Sequence, residues 1–205
     1  MNTLEAVRQR KSIRKFQNKT VPEDMIAEIL TAGMEAPSVK NSQHWKFYVL
    51  RGEAREQLAK LMAAALDYFR DAGPAGSPPV YGSLAYSIDV IRSAPAVILV
   101  FNTGNHTLNS EDTLEARFMD CGVLEGIGAA IQNMLLAATD LGLGSLWICD
   151  VFFAYELICD WLGESSQLAA GIALGYSDDH CKKAARHDLA GHVVYLGEPD
   201  AVSHK

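Results

Sequence analysis

The sequence predicts an α+β or α/β fold on three observations. Short apolar runs with strand character interleave with longer stretches at helical spacing. Hydrophobic residues make up 49% and charged residues 21% of the 205 positions, which is the composition of a folded chain. No repeat or block of like charge divides it, and the apolar elements are too few to close two cores, so one domain over residues 1–205 is expected.

A short helix is expected to open at Asn2 or Thr3, with Leu4 and Val7 inward. Thr20 and Glu23 have capping-box spacing around Pro22, whose missing N–H costs nothing in a first turn. Met25, Ile26, Ile29, Leu30 and Gly33 then share one face, and Pro37 stops that helix. WKFYVL at 45–50 alternates as a strand does, and Leu58, Leu61, Met62, Ala65, Leu66 and Phe69 follow helical spacing. Glycine, proline and serine in residues 71–83 predict a flexible stretch, and residues 102–113 a second polar one. Between them VILVF at 97–101 reads as a buried strand.

Residues 118–141 form a helix apolar nearly all round, through Met119, Val123, Ile127, Ile131, Met134 and Leu135. Such a helix needs cover on every side, from its own core or from a second subunit. Gly126 and Gly128 within it permit close packing, and Gly142 and Gly144 end it. SLWIC reads as the next strand and 155–162 as a helix. LAAGIALGY at 168–176 is a glycine-softened strand, and VVYL at 193–196 the last.

A net charge of −7 disfavours nucleic acid or an anionic membrane as partner. Cys121, Cys149, Cys159 and Cys181 form no C-x-x-C pair, and the opening residues carry no apolar signal stretch, so a reduced cytoplasmic protein is expected. The apolar uncharged run 126–139 is shorter than the ~20 residues of a membrane span. A phosphate loop, a dinucleotide fingerprint and a nucleophile elbow are all absent from the sequence. His180, Cys181, His187 and His192, beside Asp178 and Asp179, lack the tighter spacing of a zinc site and read as an exposed loop without metal. Glu111, Asp112 and Glu115 read as charge complementing a helix start.

The opening cluster stands out in an acidic chain: Arg8, Arg10, Lys11, Arg14 and Lys15 surround Ser12. It fits a solvated helix end, where cations complement the dipole. It also holds the parts a phosphate monoester needs, arginine forks and a hydroxyl. Pro37, Ser38, Asn41 and Gln43 make a polar turn between a helix and a strand, suited to reading a flat polar ring or simply to capping a loop.

Arg10-Lys11-Ser12-Ile13-Arg14-Lys15-Phe16 is followed in order by Val21-Pro22, by Ala36-Pro37-Ser38 with Asn41, Gln43 and Trp45, and by Gln132-Asn133-Met134-Leu135-Leu136-Ala137-Ala138. Leu141-Gly142-Leu143-Gly144-Ser145, Trp147-Ile148, Leu174-Gly175-Tyr176 and a late Arg186 complete the series. Order and spacing together resemble the FMN-dependent nitroreductase family, with His44 and Asp188 where prolines are common. The resemblance implies an α+β fold with a central mixed, mainly antiparallel sheet flanked by helices, a long buried central helix, and a domain-entwined homodimer. Two FMN sites would lie at the subunit interface. Carried over, Arg10, Lys11, Ser12 and Arg14 hold the phosphate and the pyrimidine edge, and Arg186 with Lys183 completes the phosphate grip. Pro37, Ser38 and Asn41, with Gln43 beside them, come from the partner chain, and Cys149 and Asp150 bring backbone near the flavin N5. The implied activity takes a hydride from NADH or NADPH and passes electrons to a small flat acceptor such as a nitroaromatic or quinone, by ping-pong turnover and with no catalytic side chain. Reductive dehalogenation, flavin cleavage and a non-catalytic FMN-storing dimer are the alternatives.

Overall fold

In the computed structural model, which describes residues 1–72, 80–104, 113–180 and 182–197, four of the strand-like runs pair into one sheet. Its strands are β1 (Trp45–Leu50), β2 (Ala96–Asn102), β3 (Gly144–Ile148) and β4 (Gln167–Gly175). They lie in the order β1-β2-β4-β3, and each pairing is antiparallel. A parallel bridge from Ser12 to Ser145 adds a contact of the other sense at the β3 edge.

Alternation along β2 explains the layers, because successive side chains leave opposite faces. Val97, Leu99 and Phe101 enter the core shared with α3 (Gly52–Ala72), α4 (Val80–Ser93) and α6 (Tyr155–Leu162). Ala96, Ile98 and Val100 enter the core under α2 (Glu23–Met34) and α5 (Leu114–Asp140). With helices on both faces, β2 is buried from end to end.

Several expectations are corrected by tertiary context. In α1 (Thr3–Gln9), Leu4 and Val7 are 64% and 45% exposed, because the small Ala6 is the residue turned inward. Helix α2 starts on Pro22 as its N-cap, with no side-chain cap hydrogen bond, so the Thr20–Glu23 box does not form. Helix α5 begins before residue 118, since Thr113 Oγ accepts from the Ala116 N–H at 3.1 Å. Glu115 lies in its first turn, while Glu111 and Asp112 fall outside the described residues. Helix α4 was not foreseen; Leu84, Ile88 and Ile91 bury its inner face. Of the two stretches expected to be irregular, 73–79 and 105–112 lie outside the described residues. Residues 193–196 are not a strand: no neighbour among the described residues pairs with them, and Val194, Tyr195 and Leu196 are 83%, 84% and 92% exposed. Cover on α5 is one-sided. Val123, Ile127, Ile131, Met134 and Leu135 are buried, whereas Leu114, Phe118 and Leu124 face outward.

The loop into β4 carries a charged clasp. Glu164 accepts from Lys46 Nζ and Tyr48 OH, both at 2.7 Å, and from the Ser166 N–H at 2.9 Å. The Lys46 bond, then the Ser166 backbone and Tyr48, hold its carboxyl down to about 2 against an ordinary 4.5. A carboxyl depressed on folding stabilises the fold above its unfolded value and loses that contribution as pH falls towards 2. Denaturant midpoints at pH 6 and pH 3 should therefore differ less in Glu164→Gln than in the parent. An unchanged pH dependence would show that this clasp contributes nothing.

Candidate active site

Two glycines prepare the ground for the basic segment. Gly144 of β3 and Gly175 of β4 are register partners at the sheet's end. A Cβ on Gly144 would lie 2.8 Å from Ile13, and one on Gly175 would lie 2.9 Å from Phe16. Only bare backbone there lets residues 12–17 cross so closely. The crossing is fixed by Ile13 N–H to Ser145 O, Gln17 N–H to Tyr176 O, and Asp178 N–H to Lys15 O, each 2.9 Å. Arg14 N–H also donates to Asp179 Oδ2 at 3.1 Å.

Arg10 closes α1, its N–H donating to Ala6 O at 2.8 Å. Lys183 arrives from the far end of the chain and donates to Val7 O and Arg8 O at 3.2 and 2.7 Å, the carbonyls left open where α1 ends. Burial and then the neighbouring Arg186 hold Arg10 below its ordinary value. Burial, then Arg10 and Arg186, do the same to Lys183. Three cations thus converge and repel one another. A phosphate dianion among them would turn that repulsion into charge-assisted hydrogen bonds, so the donor set fits a phosphate monoester. Half-buried Lys11 and Ser12 lie beside it, and exposed Arg14 donates from Nη1 to Ser12 O at 3.3 Å. Ser145, register partner of Ser12, has its hydroxyl buried without a hydrogen-bond partner among the described residues.

The other end of β3 carries Cys149 and Asp150. Cys149 is four residue steps past Ser145, about 14 Å at strand rise. Burial first, then the Asp150 carboxylate, push the Cys149 thiol up, while a hydrogen bond from Trp147 pulls it the other way. Asp150 itself is turned to α4, where its Oδ2 accepts from Ser83 Oγ at 2.8 Å and Ser87 Oγ at 2.6 Å.

Pro37, Ser38, Asn41 and Gln43 form a separate constellation. Lys40, Asn41 and Gln43 take positive φ of 50°, 54° and 50°, the only such non-glycine residues among those described. Strain of this kind gathers where a loop is held for a purpose. The holding bonds are Gln43 N–H to Ser38 Oγ and Asn41 N–H to Ser38 O, both 3.0 Å. The loop rests on two α5 glycines: a Cβ on Gly122 would meet Val39 at 2.9 Å, and one on Gly126 would meet Ser38 at 3.3 Å. A cavity of about 320 Å³ opens between this loop and Phe118. Asp140, which pairs with the Met1 ammonium beside α1, lies 14 residues along α5 from Gly126, about 21 Å of helix. One chain brings Lys183 onto the end of α1 beside Arg10 and Arg186, while residues 37–43 rest on the α5 stretch around Gly122 and Gly126.

Residues 7–176 match the family described as Nitroreductase family. The chain belongs to the nitroreductase family. It is 30% identical over 200 residues to the nitrobenzene nitroreductase of Ectopseudomonas oleovorans, covering 84% of this chain and 86% of that one. A Methanothermobacter thermautotrophicus protein, provisionally named NADH dehydrogenase/NAD(P)H nitroreductase, is 34% identical over 151 residues. That match covers 72% of this chain and 60% of the relative's length. Among solved structures, a provisionally named nitroreductase in complex with FMN, from Desulfovibrio desulfuricans, has a TM-score of 0.72 and 28% identity. It covers 97% of this chain and 99% of that one. The antiparallel sheet and long central helix are those expected of a nitroreductase-family chain.

Residues that sequence reasoning missed in this family member are Ser83, Ser87 and Asp179. Ser83 and Ser87 are four apart, which puts them on one helix face, and that spacing was the available signal. Asp179 had none, because its partner is a backbone N–H 165 residues away.

Proposed function

We propose that the chain acts as a single-domain, FMN-dependent oxidoreductase that takes electrons from NADH or NADPH and delivers them to a small flat acceptor, a nitroaromatic or quinone. The convergence of Arg10, Lys183 and Arg186 carries this reading. The FMN complex and the NAD(P)H-named and nitrobenzene-named relatives support it. Bound FMN supplies the two-electron chemistry, and the protein supplies position and electrostatics. Arg10, Lys183 and Arg186 hold the phosphate, with Lys11 and Ser12 beside it. Arg14 complements the pyrimidine edge, and backbone at Cys149 and Asp150 borders the ring. No side chain is assigned as acid or base. A single cleft visited by nicotinamide and then acceptor implies ping-pong turnover.

The working unit on this reading is a homodimer. Pro37, Ser38, Asn41 and Gln43, held on α5 by Gly122 and Gly126, serve the cations of a second copy. The outward faces of α1 and α5 and the exposed Val194, Tyr195 and Leu196 are the apolar surface that copy covers. Interfaces of this obligate kind bury upward of ~2,000 Å².

The test is direct. Cofactor released by heat should chromatograph as FMN, anaerobic NADH or NADPH should bleach the holoprotein, and nanomolar sedimentation should give a dimer. Recovery of FAD, or a colourless protein that FMN cannot reconstitute, overturns the cofactor reading. A flavin-loaded monomer overturns the two-chain site.

A further inference from the structure

We propose that Asp150, clasped by Ser83 and Ser87 of α4, is a positioning residue that fixes a negative charge at the ring end of the cofactor cleft and weights it against reduced flavin. This rests on the FMN reading above.

The clasp is built for holding a charge still. Asp150 opens the 3₁₀ turn Asp150–Ala154, and one of its carboxylate oxygens takes both serine hydroxyls. The 2.6 Å contact from Ser87 lies in the range of charge-assisted O–H···O⁻ bonds. Ser87 is 8% exposed, so this bond is shielded from water. The donors come from 67 and 63 residues earlier in the chain. Val151 and Ala154 are buried in the same core as Leu84 and Ile88, so the turn cannot rotate away from α4.

The charge is felt on the cleft side. Cys149, the exposed neighbour of Asp150, has its thiol pushed up by burial first and by that carboxylate second. Strand β3 connects the two ends of the site: Ser145 bridges Ser12 near the three cations, and Cys149 lies about 14 Å further along. A cofactor whose phosphate meets the cations and whose length follows β3 brings its ring to Cys149 and Asp150. Hydride transfer from the nicotinamide, which leaves as NAD(P)⁺, adds two electrons and one proton to that ring and leaves it anionic. A fixed carboxylate nearby opposes that charge.

FMN dissociation constants are to be measured in the oxidised and dithionite-reduced states for the parent, for Asp150→Asn and for the double variant Ser83→Ala/Ser87→Ala. Asp150→Asn should raise the ratio of reduced to oxidised affinity about tenfold, equivalent to about +30 mV for a two-electron couple. The serine pair keeps the charge but frees it into solvent, where it is better screened, so the ratio should rise about threefold. A ratio within twofold of the parent in Asp150→Asn, whatever its melting temperature, would leave Asp150 a structural staple and overturn the proposal. A shift in Asp150→Asn with none in the serine pair would overturn the clasp. If Asp150→Asn does not fold, the serine pair decides alone. A parent protein that binds no FMN would instead end the cofactor reading, a different outcome from either.

Discussion

Gly175→Ala is expected to destabilise the fold by about 2–3 kcal/mol, the overpacking range, and so to lower the melting temperature by roughly 4–12 °C at this chain length. The added Cβ would lie 2.5 and 2.7 Å from Pro95 Cδ and Cγ, and 2.9 Å from Phe16 Cδ1. Neither neighbour can retreat cheaply. Pro95 is a closed ring between the end of α4 and the start of β2, and Phe16 is held by its bridge to Ser177. Gly33→Ala is the control. There the new Cβ would meet Met134 Cγ and Sδ at 2.8 and 2.9 Å, a side chain that can change rotamer. Alanine in a helix interior also recovers up to about 1 kcal/mol of propensity. Calorimetry of both variants should give a large drop for Gly175→Ala and a small change for Gly33→Ala. Equal shifts would mean that the β4 end is not the tighter site.

What was legible beforehand follows from how local each signal is. Residues 45–50, 97–101 and 168–175 are strands where expected, because apolar and β-branched runs of that length bury themselves between layers whatever the loops do. Helix α6 spans 155–162 as expected, ended by Gly163 at a φ of +60°. VVYL at 193–196 has the same local character, yet no strand lies beside it among the described residues; β propensity measures fit to a neighbour. Helix α4 failed for the opposite reason. Leu84, Ile88 and Ile91 carry helical spacing, but a glycine- and proline-rich stretch that favours turns runs directly into them.

The site divides in the same way. Arg10 and Ser12 were visible as a basic cluster in an acidic chain, and Arg186 only through resemblance. That Lys183 reaches back to the end of α1 is a contact across 175 residues, beyond any spacing rule. Asp150 was expected to lend backbone to the cofactor, and its side chain proves committed to α4 by serines that belong to no motif.

Arg186→Ala should separate cofactor binding from folding. A hydrogen bond to a charged group contributes about 1.5–3 kcal/mol, so losing one from the phosphate should raise the FMN dissociation constant about 10- to 100-fold. Folding should not suffer. Arg186 is exposed, and the neighbours whose titration it shifts, Arg10 and Lys183, are cations like itself. Its removal relieves repulsion and should let the Lys183 amine move back up towards its ordinary value. Three screened cations also imply that FMN affinity falls with ionic strength, and less steeply with one of them gone. Arg14→Ala is the comparison, since its guanidinium lies on Ser12 O at 3.3 Å and is proposed for the pyrimidine edge, not the phosphate. Calorimetric titration of FMN at several salt concentrations, with denaturant midpoints of the flavin-free proteins, measures both quantities. The expected pattern is a larger affinity loss and a shallower salt slope for Arg186→Ala, with its flavin-free stability equal to the parent's or above it. Equal losses for the two arginines, or a destabilised flavin-free Arg186→Ala, would place the phosphate somewhere other than among Arg10, Lys183 and Arg186.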